Sequence, residues 1–258
     1  EGAALLAPGH RLRAQDLAHL ASTGIGAVTV HRPLRVALLS TGDELLPAGA
    51  PALRHQIWDA NRPMLKAMLA AWGITPVDLG QAPDSRTDIL ARLAEGAEAD
   101  AIVTTGGASA GDEDHISAAL REAGSITHWR IALKPGRPLA LGLWQGTPLF
   151  GLPGNPVAAF VTALIFLRPS LLQMAGQGWH VPTPRMLPAA FTKRKKAGRR
   201  EYLRARPGPD GIEVYASEGS GRIHGLAWAD GLLELPDEAL EITPGTPVPY
   251  TPFEAYGL

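Results

Sequence analysis

The 258-residue chain contains no cysteine. That excludes disulfides, thiolate metal sites and a cysteine nucleophile, and it suits a reducing compartment, so a cytoplasmic location is expected. An excess of charge of either sign is also missing. Lys and Arg number 24 against 25 Asp and Glu, a formal net charge of -1. Nothing global therefore advertises a nucleic acid or an anionic membrane, and any basic site must be local. No uninterrupted apolar run of about 18 residues occurs, so no membrane span is expected. The eight histidines show no paired metal spacing and read as surface or core residues. The tryptophans Trp58, Trp72, Trp129, Trp144, Trp179 and Trp228 are scattered, which suits packing better than a stacking platform. What remains is an ordinary globular composition, 45% hydrophobic and 19% charged. The length allows a core domain of about 150 residues with one or two smaller pieces.

Three zones follow along the chain. Residues 1–33 hold a short amphipathic piece, with Leu17 and Leu20 inside Asp16 to Ser22 and a strand-like Ala27 to Val30. They are too few to fold alone and read as the remnant of a preceding domain or linker. Residues 34–178 alternate strand and helix. Strands are expected at Leu34 to Leu39, Thr75 to Leu79, Ala101 to Thr105, Thr127 to Leu133, Leu139 to Leu143 and Leu149 to Leu152. Helices are expected at Asn61 to Trp72, with Asn61 as its cap, then Thr87 to Ala94, His115 to Ala123 and Asn155 to Met174. Such alternation implies βαβ units, right-handed crossovers and a mostly parallel sheet covered on both faces. Ligands of such folds bind beyond the C-terminal ends of the strands. In residues 179–258 prolines and glycines punctuate short runs such as Gly211 to Tyr215 and Gly231 to Leu235. That density forbids long helices and predicts a small β-barrel or sandwich.

Four loops could carry chemistry. Ala101 to Thr105 empties into Gly106-Gly-Ala-Ser-Ala-Gly-Asp-Glu-Asp114. Gly106, Gly107 and Gly111 permit close backbone approach to an anion, and Ser109 adds a hydroxyl. The carboxylates Asp112, Glu113 and Asp114 would repel bare phosphate, so the pattern makes sense if one of them holds a cation beside a phosphorylated small molecule. Ser40-Thr-Gly-Asp-Glu-Leu45 offers hydroxyls at Ser40 and Thr41, a turn at Gly42, and the acids Asp43 and Glu44. Alone it is equally a plain strand-end turn. Two acid-bearing loops on one sheet edge could supply a base or a divalent cation site through Glu44 and Asp114, with oxygen-only donors that favour Mg²⁺. Lys134-Pro-Gly-Arg-Pro138 presents Lys134 and Arg137 around a rigid turn, either solvated or set to neutralise an oxyanion. Gly151-Leu-Pro-Gly-Asn-Pro156 places Asn155 as N-cap and Pro156 at the first helical position. It reads as an anion site at a helix end or as a well-capped packing helix. The one basic run, Lys193 to Lys196 with Arg199 and Arg200, reads as a solvated hairpin, and no nucleic-acid partner is expected.

Taken in order, these motifs resemble the molybdopterin molybdenumtransferase family (MoeA and the gephyrin E domain). The resemblance rests on Thr41 to Leu45, Ile57 to Asn61, Gly106 to Asp114, Lys134 to Pro138 and Leu152 to Pro156. In the tail it rests on Gly198 to Arg204 and Gly219 to Gly221. It implies an α/β fold with a three-layer MogA-like molybdopterin-binding domain at 34–178, followed by a small all-β barrel-like domain at 179–258. It implies insertion of molybdenum from molybdate into adenylylated molybdopterin, with Mg²⁺ and release of AMP. Implied catalytic residues are Glu44, Asp114, Lys134 and Arg137, with Glu44 and Asp114 as metal ligands. Implied binding residues are Thr41, Gly42, Asp43, Gly106, Gly107, Ser109, Gly111, Pro153, Gly154, Asn155 and Ser220. A homodimer is implied, with a MogA-type adenylyltransferase as a further partner.

Two departures stand against this. Family members carry a further N-terminal half that contributes acids across the dimer, and residues 1–33 resemble only its end. The chain is then a fragment, or binding survives with turnover impaired. His115 stands where the family often has an aromatic residue. Two rivals follow. A MogA-type adenylyltransferase would normally lack the proline-rich tail. A non-catalytic molybdopterin-binding scaffold would bind the adenylylated pterin without turning it over.

Overall fold

The computed structural model describes residues 3–106, 115–122, 126–136, 138–217, 219 and 223–258. Its first sheet is built from β1 (Arg35–Thr41), β4 (Thr75–Ala82), β5 (Ala101–Thr105), β6 (Ile126–Arg130), β8 (Pro138–Trp144) and β9 (Thr147–Leu152), in the order β4-β1-β5-β9-β8-β6. The four strands from β4 to β9 run parallel, and β8 and β6 are antiparallel additions. Strand alternation splits the apolar residues between two cores. Val36, Leu38 and Val103 face helix α2 (Asn61–Ala71) and the long apolar helix after β9. Ala37, Leu39 and Ile102 face α3 (Arg86–Gly96) and α4 (His115–Glu122), where Ile89, Leu93, Ile116 and Leu120 are buried. A sheet covered on both faces needs such continuous apolar strands.

The long apolar helix is not one regular helix. It consists of α5 (Pro156–Thr162), a π-turn at Ala163–Leu167 and α6 (Arg168–Met174). Pro169 explains the break, since its ring would meet the carbonyl four residues back and it donates no N–H. The stretch Pro156–Met174 is long and apolar enough to cross a membrane, yet 67% of it is buried inside the fold. It is a core helix.

The second sheet has the order β10-β16-β14-β12-β13. Its strands are β10 (Arg185–Pro188), β12 (Arg200–Gly208), β13 (Gly211–Val214), β14 (Gly231–Leu235) and β16 (Pro247–Pro252). A bridge between Ala189 and Ile212 joins its two ends, so it curls into the expected barrel-like shape. Along β12 the sides alternate: Leu203 and Ala205 enter this domain's own core, whereas Tyr202 packs into the core shared with the α/β domain. Trp72 Nε1 and Arg168 Nε both donate to the Tyr256 carbonyl, at 2.9 and 2.8 Å.

Several sequence expectations need correction. Thr127 to Leu133 is not one strand. The chain leaves β6 at Arg130, and Leu133–Lys134 forms β7, which pairs in parallel with β12 of the other sheet. Alternation cannot reveal a change of partner. Ala27 to Val30 forms no strand, and Val28 and Val30 are exposed; the helix of this zone, α1, runs Ala14–Ser22. Asn61 does not cap α2. Asp59 Oδ1 accepts the N–H groups of Asn61 and Arg62, both at 3.1 Å. The basic run is no hairpin: β11 (Lys193–Lys195) pairs with β15 (Leu240–Ile242). Lys195 is buried, its ammonium donating to the carbonyls of Lys196, Asp237 and Glu238. Trp72 and Trp144 pack as expected, but Trp58 and Trp179 are exposed.

Candidate active site at the rim of the parallel sheet

Because β1, β5 and β9 are parallel neighbours, their C-terminal ends open on one edge. Each strand ends on a different kind of group. β1 delivers Ser40 and Thr41, both buried. β5 delivers Thr104, Thr105 and Gly106. Leu152 ends β9 and leads through Pro153 and Gly154 to Asn155 at the start of α5.

Contact between the three loops is close. A Cβ on Gly106, whose φ is +87°, would lie 2.4 Å from the Thr41 carbonyl oxygen, and a Cβ on Gly154 would lie 3.5 Å from Gly106 Cα. Only a residue without a side chain permits that approach at Gly106. Asn61 staples the loops from the side. Its Nδ2 donates to Thr105 Oγ1 at 2.6 Å and to the Gly154 carbonyl at 2.7 Å. Thr105 Oγ1 in turn donates to the Pro153 carbonyl at 3.4 Å.

The loop after β1 is held from β4. Gln81 Nε2 donates to the carbonyls of Gly42 and Leu45, at 2.9 and 2.8 Å. Asp43 and Asp84 exchange backbone N–H to carboxylate bonds. Asp43 is thereby committed to shaping the loop. Glu44 is exposed, and its carboxylate folds over Gly42, with Oε2 2.7 Å from where a Cβ there would stand.

Several buried polar atoms at this rim have no partner among the described residues. They are Ser40 Oγ, Thr41 Oγ1, Thr104 Oγ1, Asn61 Oδ1 and Asn155 Oδ1. A buried polar group left unsatisfied costs about 1–3 kcal/mol. Asn155 occupies the N-cap position of α5 with Pro156 behind it, but its side chain makes no capping bond. The N-cap position is as expected, but the side-chain capping bond is not made.

Lys134 lies on β7, beside the first turn of α5. It lines a narrow crevice with Pro135, Val157, Tyr202, Arg204, Tyr215 and Ser217, and Val157 belongs to the first turn of α5. Burial pushes the Tyr202 phenol above its usual range, with the nearby Glu234 carboxylate adding to the effect, so it stays protonated. Arg204 was not singled out from the sequence. It is 5% exposed, lies 4.9 Å from the Tyr215 ring centroid and donates to the carbonyls of Ser217 and Gly219. Burial lowers its pKa from the ordinary arginine value, and Tyr215 opposes that shift. The signal available in the sequence was a cation in the middle of the strand-like run Tyr202-Leu-Arg-Ala205.

Of the residues expected from the sequence, the structure gathers Thr41, Gly42, Glu44, Gly106, Pro153, Gly154 and Asn155 at the rim, with Lys134 beside α5. Gly107, Ser109, Gly111, Asp114, Arg137 and Ser220 lie outside the described residues. Among the described residues no group of three His, Asp or Glu could enclose a metal. A cleft of about 960 Å³ lies between the two sheets' domains, with Met64, Phe160, His224, Tyr250 and Phe253 in its walls, and includes none of the rim residues. The chemistry therefore has to be placed by the unpartnered polar atoms rather than by cavity size.

Comparison with known proteins matches residues 37–173 to the probable molybdopterin binding domain family. Residues 187–253 match the MoeA C-terminal region, domain IV. The molybdopterin molybdenumtransferase of Haemophilus influenzae is 33% identical over 260 residues, covering 98% of this chain and 64% of that protein. Molybdopterin molybdenumtransferase 2 of Mycobacterium tuberculosis is 33% identical over 241 residues, covering 88% of this chain and 58% of its own length. The crystal structure of a molybdopterin biosynthesis MoeA protein from Pyrococcus horikoshii superposes with a TM-score of 0.83 at 28% identity, covering 96% of this chain and 62% of that one. The chain thus spans less than two thirds of the length of these relatives. The chain belongs to the probable molybdopterin binding domain family and carries a MoeA C-terminal region, domain IV, after that domain.

Proposed function

We propose that this chain forms the part of a molybdopterin molybdenumtransferase that binds adenylylated molybdopterin and molybdate, supports insertion of molybdenum and releases AMP. In this reading residues 34–178 are the pterin-binding unit, residues 179–258 its β-rich companion, and residues 1–33 the end of a preceding domain. The observation that carries it is a set of buried hydroxyl and amide oxygens with no partner among the described residues: Thr41 Oγ1 at the end of β1, Asn61 Oδ1 at the start of α2 and Asn155 Oδ1 before α5. A fold that left those groups bare with no ligand to meet them would lose stability for nothing. A phosphorylated pterin offers the acceptors and donors they lack. Thr41 donates to phosphate, and the amides of Asn61 and Asn155 orient polar edges. Lys134 and Arg204, with Arg137, attract molybdate and the pyrophosphate link. The work of such a site is positioning and stabilisation of developing charge.

Mg²⁺ belongs to the same reading. Glu44 is an exposed carboxylate and Thr41 a bare hydroxyl, both hard oxygen donors of the kind Mg²⁺ takes, and the ion commonly uses one or two carboxylates plus substrate phosphates. Glu44 would hold it together with Asp114, and when bound it neutralises phosphate charge. The reading also implies a homodimer, whose other subunit supplies further acids, a MogA-type enzyme that delivers the adenylylated pterin, and a cytoplasmic setting.

The test is to incubate the chain with adenylylated molybdopterin, Mg²⁺ and molybdate and to measure AMP. We expect AMP release with capture of molybdenum, and a loss of about tenfold or more in Thr41→Val, which deletes one charge-assisted hydrogen bond. Tight binding without turnover would favour the scaffold reading. No binding of the adenylylated pterin at all would overturn both.

A further inference from the structure

We propose that Lys193 and Glu201, both in the β-rich domain, set the charge that Lys134 presents to an oxyanion. The inference rests on the role given to Lys134 above. It starts from an unusual join. β7 leaves the first domain and pairs with β12, with Lys134 opposite Glu201 in register. Glu201 Oε1 lies 3.6 Å from Lys134 Nζ, and its Oε2 lies 3.2 Å from Lys193 Nζ. Lys193 arrives on β11, which β15 holds through the Lys193–Ile242 pair. One carboxylate therefore stands between two ammonium groups contributed by two different strands.

The burial of the three groups decides how the charge is shared. The Glu201 and Lys193 side chains are 12% and 13% exposed, whereas that of Lys134 is 33% exposed. The shorter and drier contact is with Lys193, where attraction is strongest. A carboxylate facing Lys134 alone would cancel its charge. Lys193 takes the larger share of the carboxylate, and the more accessible ammonium of the two is the one lining the crevice with Arg204, Tyr202 and Tyr215. Lys193 and Glu201 are positioning residues: neither has to touch the oxyanion.

This assigns opposite signs to two neighbouring substitutions, which a purely structural pair would not show. The probe is molybdate alone, titrated calorimetrically into the whole chain at low salt, where screening is least. Lys193→Met should weaken molybdate binding by about tenfold, because Glu201 is then left to neutralise Lys134. Glu201→Gln should tighten it by about two- to threefold. The double variant should return to within about threefold of the original chain. If Glu201→Gln weakens binding as much as Lys193→Met does, and the double variant is weaker than either, the pair is merely structural and the inference is overturned. Should Lys193→Met fail to fold, Glu201→Gln decides alone: tightening supports the inference, and unchanged or weaker binding refutes it. Lys134→Met separates the two layers of the argument. Unaltered molybdate binding in that variant removes Lys134 from the site and takes the reading with it. Weakened binding there, with Lys193→Met and Glu201→Gln both silent, removes only the charge-sharing pair.

Discussion

The two halves of the molecule treat buried polar groups in opposite ways. In the α/β half, Ser40, Thr41, Thr104, Asn61 and Asn155 each bury an oxygen with no partner among the described residues, and all five cluster where β1, β5 and β9 end. In the β-rich half the buried ammonium of Lys195 is spent. It donates to three backbone carbonyls. Glu201 Oε2, which has no hydrogen bond there, lies 3.2 Å from Lys193 as an ion pair. Unspent hydrogen-bonding capacity is costly unless a ligand uses it, whereas spent capacity is structure. The comparison separates a working edge from a supporting one without reference to cavity size.

The largest effect should come from adding one methyl group to each half. A Cβ on Gly106 would lie 2.4 Å from the Thr41 carbonyl, and one on Gly211, at φ +128°, 2.3 Å from the Pro188 carbonyl. The left-handed backbone costs about 1–2 kcal/mol for any other residue, and relief of the clash adds about 1–3 kcal/mol. Both alanine variants should therefore melt several degrees lower. Only Gly106→Ala should also lose affinity for the adenylylated pterin, since its clash pushes apart two of the ligand-bearing loops. A folded Gly211→Ala protein that no longer binds the pterin would break the comparison.

A middle-sized effect separates two buried amine or amide staples. Asn61→Ala removes hydrogen bonds at 2.6 and 2.7 Å and leaves Thr105 and Gly154 short of a donor, at about 1–3 kcal/mol. Lys195→Met removes a donor from three carbonyls, at a comparable cost of about 1–3 kcal/mol. Denaturant melts should show similar losses. Pterin affinity should fall in the first variant and hold in the second. Equal loss of affinity in both would mean that Lys195 also belongs to the binding edge.

The same contrast explains what could be read from the sequence. The strands β1, β5 and β9 are legible because Val36 to Leu39, Ala101 to Val103 and Leu149 to Leu152 are buried on both faces and carry no polar side chain. The glycine at 106 and the Leu-Pro-Gly-Asn-Pro stretch also announced themselves, since turn chemistry is local. Asn61 reads as a cap in the sequence because its partners stand 44 and 93 residues away, and no local signal names them. The basic run was misread for the same reason: Lys195 finds its carbonyls 42 and 43 residues on. Whether a lysine is solvated or buried is a property of the pairing between β11 and β15, and composition does not encode it.

The smallest effect concerns pH, and again the halves differ. In the α/β half, the Arg32 guanidinium donating to Asp100 holds that carboxyl below its usual range; burial opposes the shift and the Arg35 N–H adds to it. In the β half, burial and nearby carboxylates push Tyr250 up to about 12, and burial does the same for Tyr256. The signs are opposite. A depressed carboxyl contributes stability that is present above its unfolded value, about 3.9, and is lost as pH falls through the folded one. A raised phenol contributes stability that is present below its unfolded value, about 10, and is lost as pH rises towards 12. Stability should therefore respond to neither group between about pH 5 and 9. Below that window Asp100→Asn should abolish part of the acid-induced loss, and at neutral pH it should cost under about 1 kcal/mol because Arg32 is exposed to solvent. Circular dichroism melts across the pH series would measure it. An acid limb unchanged by Asp100→Asn would assign the sensitivity elsewhere, with Asp78 the next carboxyl to replace. Its pKa is also lowered: burial works against the shift, and the bonds from Lys66 and the Gly80 N–H outweigh it.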